Sequence, residues 1–137
     1  MQAWAMINAG SQSTAIEAQF AARIDGIRAR FALKLANNIQ QTDAALQHMS
    51  GDGNDAVDAV ATAYRWLHDA VGVCATIGFE ATGRHARSCD ALLIGPFRAQ
   101  RGLSQDELAL LTANLESLRF TALTETIIAK PHQGSEP

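Results

Sequence analysis

Apolar residues recur along this chain at steps of three and four, the period of an α-helix, and no segment shows the strict alternation of a strand. The first series is Ile16, Phe20, Ile24, Ile27, Phe31, Leu35, Ile39, Leu46 and Met49. Thr14 followed by Glu17 has the form of a capping box, so the pattern predicts a helix start there, preceded by an arm over residues 1–12. Asp25-Gly26 leaves two readings open: one long helix, or a short one joined to a long one.

"SGDGND" at 50–55 is a strong breaker, and Asn54 or Asp55 is placed to cap the next helix. A second series then runs through Val57, Val60, Tyr64, Leu67, Val71, Cys74 and Gly78, a seam for packing against other helices. A third helix is expected from about Glu80 to Ile94, stopped by Gly95-Pro96. Ser104 and Glu107 form another capping box, feeding Leu108, Leu111, Leu115, Leu118 and Ala122. The closing "KPHQGSEP" lacks apolar residues and is expected to fray.

Amphipathic helices joined by short loops imply an all-α fold, an up-and-down four-helix bundle with an N-terminal helical extension. The arm of residues 1–12, a bundle over 13–129 and a flexible tail at 130–137 make one domain of the 137 residues. Trp4 and Met6 are candidates for docking the arm onto the bundle or onto a second copy. The net charge of −3 argues against a nucleic-acid binder, which gathers Lys and Arg on one face. Cys74 and Cys89 form neither a C-x-x-C pair nor a disulfide framework, which points to a reducing cytoplasm. No run of 18 apolar residues and no export signal is present, so no membrane role is expected.

One stretch carries more than core spacing. In "LHDAVGVCATIGF", residues 67–79, two glycines interrupt a helical pattern around a histidine. Each glycine inside a helix costs roughly 1 kcal/mol relative to alanine. At 100° per residue, His68 lies about 80° to one side of the seam, on a half-exposed flank. Its neighbours there are Ala61, Arg65, Gly72, Ala75, Thr76 and Phe79, mostly small. Helical side chains lean towards the N-terminus, so any group at position 72 would lean over the imidazole. Glycine leaves the ring open to approach by something large. Gly78 has a plainer reading, as a close helix contact or the turn into the next helix.

These residues resemble the histidine-containing phosphotransfer domains of two-component phosphorelays. The hallmark helix of that family reads roughly H-x-L-K-G with a further glycine, and here His68 is followed by Gly72 and Gly78. "GRHARSCDALL" is similar to the next step of the family pattern through Ala86, Cys89 and Asp90. The resemblance covers about residues 25–125 and departs at Val71, where many members carry a lysine that neutralises the phosphoryl group. Substitute cations are Arg65, one turn before His68, and Lys34, which reflection about the loop near residue 52 brings level with it alongside Asn37 and Asn38.

The resemblance implies that Nε2 of His68 takes a phosphoryl group from an aspartyl phosphate on a receiver domain and passes it to a second receiver. Partners would be receiver domains of response regulators and a hybrid sensor kinase, the protein itself acting as a phosphoryl carrier; a monomer is favoured over a second copy, though the sequence leaves the oligomeric state open. Mg²⁺ would come with the receiver, and no cofactor of its own is implied. The chain has no G-x-x-x-x-G-K-[ST] loop, so no ATP-dependent autokinase activity is expected. Two other readings stand beside this one. Val71 suits a degenerate bundle that binds a partner without being phosphorylated. His85 and Cys89, four apart, have the spacing of metal ligands, with Cys74 the nearest candidate to join them. Arg84, Arg87, Arg98 and Arg101 are scattered cations, readable as a basic surface or as ordinary solvated charge.

Overall fold

In the computed structural model the backbone is described for residues 2–128 and side chains for residues 13–128. Docking of Trp4 and Met6 and the tail at 130–137 lie outside those residues. Four α-helices follow in order: α1 Gln2–Ala45, α2 Asn54–Ile77, α3 Glu80–Ala99 and α4 Gln105–Ile128. A single 3₁₀ turn, Leu46–His48, closes α1. Each helix packs on its neighbours in sequence and α4 returns to α1, giving an up-and-down four-helix bundle.

The apolar seams meet in one main core: Leu35 and Ile39 of α1, Val60 and Leu67 of α2, Leu93 of α3, and Leu111, Leu115 and Leu118 of α4 are almost wholly buried. A smaller cluster of Cys74, Ile77 and Phe79, with Ile27 and Phe31 against it, closes the end where α2 turns into α3. That turn is made by Gly78, whose φ of +82° is a left-handed C-cap. Arg28 reaches across from α1, its Nε donating to the Ile77 carbonyl at 2.9 Å. At α3's start, Glu125 of α4 accepts from the Ala81 and Thr82 backbone N–H groups and from the Thr82 hydroxyl. Burial pushes the Glu125 carboxyl up, but the Thr82 and Ala81 hydrogen bonds and the Arg84 charge outweigh it and hold it below its ordinary range.

At the opposite end the two loops lean on each other. Gly102 N–H donates to the Gly51 carbonyl at 3.0 Å and Leu103 N–H to the Met49 carbonyl at 2.7 Å. A Cβ on Gly102 would stand 2.1 Å from the Gly51 oxygen, so only glycine allows the loops to touch. The Ser104–Glu107 capping box forms as the spacing predicts, with Ser104 N–H donating to Glu107 and Glu107 N–H to the Ser104 hydroxyl.

The helix boundaries differ from those the sequence predicts in three places. First, α1 runs unbroken through Thr14 and Asp25-Gly26, so Thr14 does not start it and the arm of residues 2–12 is the helix's own first turns. Second, the N-cap position of α2 is Gly53, not Asn54 or Asp55; Asp55 instead sits in the first turn, where its charge suits the helix dipole. Third, α3 continues through Pro96 to Ala99 and ends at Gln100 in the left-handed conformation. Proline removes one hydrogen bond there, but Pro96 is buried and Phe97 packs on the core, and those contacts outweigh the lost bond.

With 44 residues, α1 is nearly twice as long as any other helix. Its residue 28 is level with the end of α2, so its N-terminal part projects beyond the bundle. Side chains at 13–22 are exposed, including Ile16 and Phe20 at 65% each, which continue the apolar stripe past the point where the core ends.

Candidate functional site

The site forms where α2 and α3 run antiparallel at close range. Gly83 of α3 permits this approach, since a Cβ there would lie 3.1 Å from the Cys74 Cβ of α2. With Ala86 also buried in the seam, the next turn of α3 brings Asp90 against α2. Nδ1 of His68 lies 3.4 Å from Oδ1 of Asp90, the histidine side chain 62% exposed and the aspartate 18%.

Aromatic contacts fix the other edge of the imidazole. Tyr64, one turn before His68, stacks on it with ring centroids 5.5 Å apart and planes 27° from parallel. Phe97 of α3 stacks on Tyr64 in turn, at 4.4 Å and 20°. A ladder Phe97–Tyr64–His68 therefore carries the ring from the half-buried boundary out to solvent. A Cβ on Gly72, one turn further on, would meet no side chain and no other helix within 4 Å, so this glycine is not required for packing. Its carbonyl accepts from the Thr76 hydroxyl at 3.1 Å.

The candidate cations divide. Arg65 is exposed on α2 one turn before His68. Lys34 is not brought to the ring: it lines a groove between α1 and α2 with Phe31, Asn38, Trp66, Asp69 and Val73. On α2 those groove residues lie between about 100° and 160° round the helix from His68 at 100° per residue. Val71 is half-buried and packs on the core, so position 71 belongs to the edge of the interior. Arg87 is exposed on α3 one turn before Asp90. Arg101 is instead engaged by Glu107, donating to it through both terminal guanidinium nitrogens at 2.8 and 3.0 Å.

Asp90 and Phe97 acquire their places only through the α2–α3 register, whereas Tyr64 stands four residues before His68 on the same helix. Asp90 lay within the motif-like step of α3, but nothing in one helix says what it faces on the next. The two cysteines are free and buried. Burial first and the Asp90 charge second push the Cys89 thiol up to about 12, and burial with Glu125 raises Cys74 to about 11, so neither offers a thiolate near neutral pH. His85 and Cys89 gain no third ligand among the described residues. No helix among these residues is long and apolar enough to cross a membrane. Neither family models, nor curated proteins, nor solved structures give a match to this chain.

Proposed function

We propose that this protein is a histidine phosphotransfer protein, carrying a phosphoryl group between receiver-domain aspartates through phosphohistidine at His68. The supporting observation is a 62% exposed imidazole whose Nδ1 faces Asp90 and whose ring stacks on Tyr64, one turn before a Gly72 with open space where a side chain would stand. Phosphoryl transfer needs in-line access and charge neutralisation more than elaborate covalent machinery. In the forward step the Nε2 lone pair forms the N–P bond as the P–O bond to a receiver aspartate breaks, releasing that carboxylate. The return step reverses this onto a second receiver. Mg²⁺ belongs to the receiver's acidic pocket, and Arg65 and Arg87, exposed one turn before His68 and Asp90, are the cations this reading assigns to the phosphoryl group. In this reading the protein works in the cytoplasm as a monomer between a hybrid sensor kinase and a response regulator.

A second reading, a partner-binding bundle that is never phosphorylated, is favoured by Val71, which puts an apolar side chain where the resemblance expects a lysine. One experiment separates the two. Incubated with ATP alone the purified chain should stay unlabelled; with phosphorylated receivers it should gain an acid-labile, alkali-stable phosphate that His68→Gln abolishes without loss of helical signal. Labelling by ATP alone, or of the folded His68→Gln protein, refutes the assignment. Receiver binding without phosphate uptake establishes the second reading.

A further inference from the structure

We infer that Tyr64 is a positioning residue for His68: its ring, braced from α3 by Phe97, restricts rotation of the imidazole and so aims Nε2 at an incoming receiver. The consequence for rate rests on the phosphotransfer reading; the restriction of the ring does not. The χ2 torsion of histidine is broad, so an imidazole 62% exposed has no strong aim of its own. Helical side chains lean towards the N-terminus, which lays His68 back on Tyr64, one turn earlier. The rings stack with centroids 5.5 Å apart and planes 27° from parallel, and rotation about χ2 gives that contact up. Position 72, one turn later, is glycine and lays nothing back on the imidazole.

Tyr64 is itself held. It is half-buried against the core, and Phe97 stacks on it more closely, at 4.4 Å and 20°. Phe97 stands there because α3 continues through the buried Pro96 instead of stopping at it. The stack therefore leads from rings packed on the core to an exposed nucleophile, each ring limiting the next. The Tyr64 hydroxyl makes no hydrogen bond among the described residues, so the ring rather than the phenol oxygen carries the role. Transfer requires the in-plane lone pair of Nε2 to lie in line with the P–O bond of the receiver's aspartyl phosphate. The N–P bond forms as that P–O bond breaks, and its electron pair leaves with the aspartate carboxylate. A misplacement of about 1 Å at such a step costs on the order of 100-fold in rate, so a partner that narrows the ring's range acts on the transfer itself rather than on receiver binding.

The test reads the ring and the reaction separately in the full chain. In NMR spectra of wild type, the carbon-bound ring protons of His68 should be displaced by the Tyr64 ring current, and ¹³C relaxation should show a restricted ring. Tyr64→Leu should abolish the displacement and free the ring, whereas Tyr64→Phe should keep both. With a phosphorylated receiver at saturation, Tyr64→Leu should take phosphate roughly 10-fold more slowly while the half-saturating receiver concentration moves by less than about 3-fold. Tyr64→Phe should transfer at the wild-type rate and Phe97→Leu should fall between. Wild-type ring protons at the positions of free histidine overturn the inference without any variant, so a misfolded mutant does not shelter it. It is also overturned by an unchanged ring or an unchanged rate in Tyr64→Leu, or by a Tyr64→Phe protein as slow as Tyr64→Leu. A change confined to the half-saturating concentration assigns Tyr64 to receiver docking and overturns it too. A stacked, restricted ring in a protein that never takes phosphate refutes the phosphotransfer reading alone and upholds the hold of Tyr64 on the ring.

Discussion

At residue scale the informative contrast is between glycines. Gly78 has a positive φ and Gly83 and Gly102 sit where a methyl group would crowd a neighbour, so each is explained by the fold. Gly72 is helical, exposed and surrounded by empty space, so the fold offers no reason for it. Gly72→Ala should therefore raise stability by about 0.5 to 1 kcal/mol, the helix propensity recovered, read as an upward shift of the thermal midpoint. Gly72→Leu should keep that stability yet slow phosphate uptake at His68, because its side chain leans back over the ring. Wild-type uptake in a folded Gly72→Leu protein would mean that access to the ring does not depend on glycine. His68 and Gly72 were legible in the sequence because their relation lies within one helix. Lys34 was not: reflection about a loop sets which residues are level, within a few positions, but not which flank of α2 they face, and Lys34 falls in the groove with Trp66 and Asp69. Asp90 was hidden for the same reason, since its approach to His68 depends on how closely Gly83 lets two helices pack.

Among elements, starts and stops were read best where side chains made them. The Ser104–Glu107 box formed as expected because both partners are local, and Gly78 ends α2 because its backbone needs the left-handed region. Thr14 and Glu17 have the same form, yet helix continues on both sides, since a capping motif is compatible with an interior position when the flanking residues favour helix. Pro96 misled in the opposite sense, because local backbone cost was set against burial that appears only in the assembled bundle. The α4 cap has a measurable pH signature. The Arg101 guanidinium first, then the Ser104 backbone N–H, holds the Glu107 carboxyl down at about 2, against an ordinary value of 4.5. A depressed carboxylate contributes stability that is fully present above the ordinary value and is lost as pH falls through the folded one. Urea midpoints of wild type and Glu107→Gln should therefore differ by a constant amount above about pH 5 and converge between pH 4.5 and 2. A gap that persists at pH 2 assigns the difference to shape rather than charge.

For the whole molecule, the bundle and the projecting part of α1 have different sources of stability. Residues from Ile27 onward place Phe31, Leu35 and Ile39 in the core that α1 shares with α2 and α4, which is where burial stabilises α1. Before Asp25 the same stripe continues through Ile16 and Phe20, but the side chains at 13–22 are exposed and bury little against the bundle. An isolated helix of such length is marginal in water, so this part depends on propagation from the packed half rather than on contacts of its own. The candidate site lies on α2 and α3 and draws nothing from it. Removing residues 2–22 should lower the helical circular-dichroism signal by no more than the deleted residues' share, leave the thermal midpoint of the remaining chain within a few degrees, and leave the His68 ring resonances unaltered. A large drop in midpoint would mean that the projecting half carries load in the bundle, and a changed His68 spectrum would mean that the site's geometry is set by α1 as well as by the α2–α3 seam.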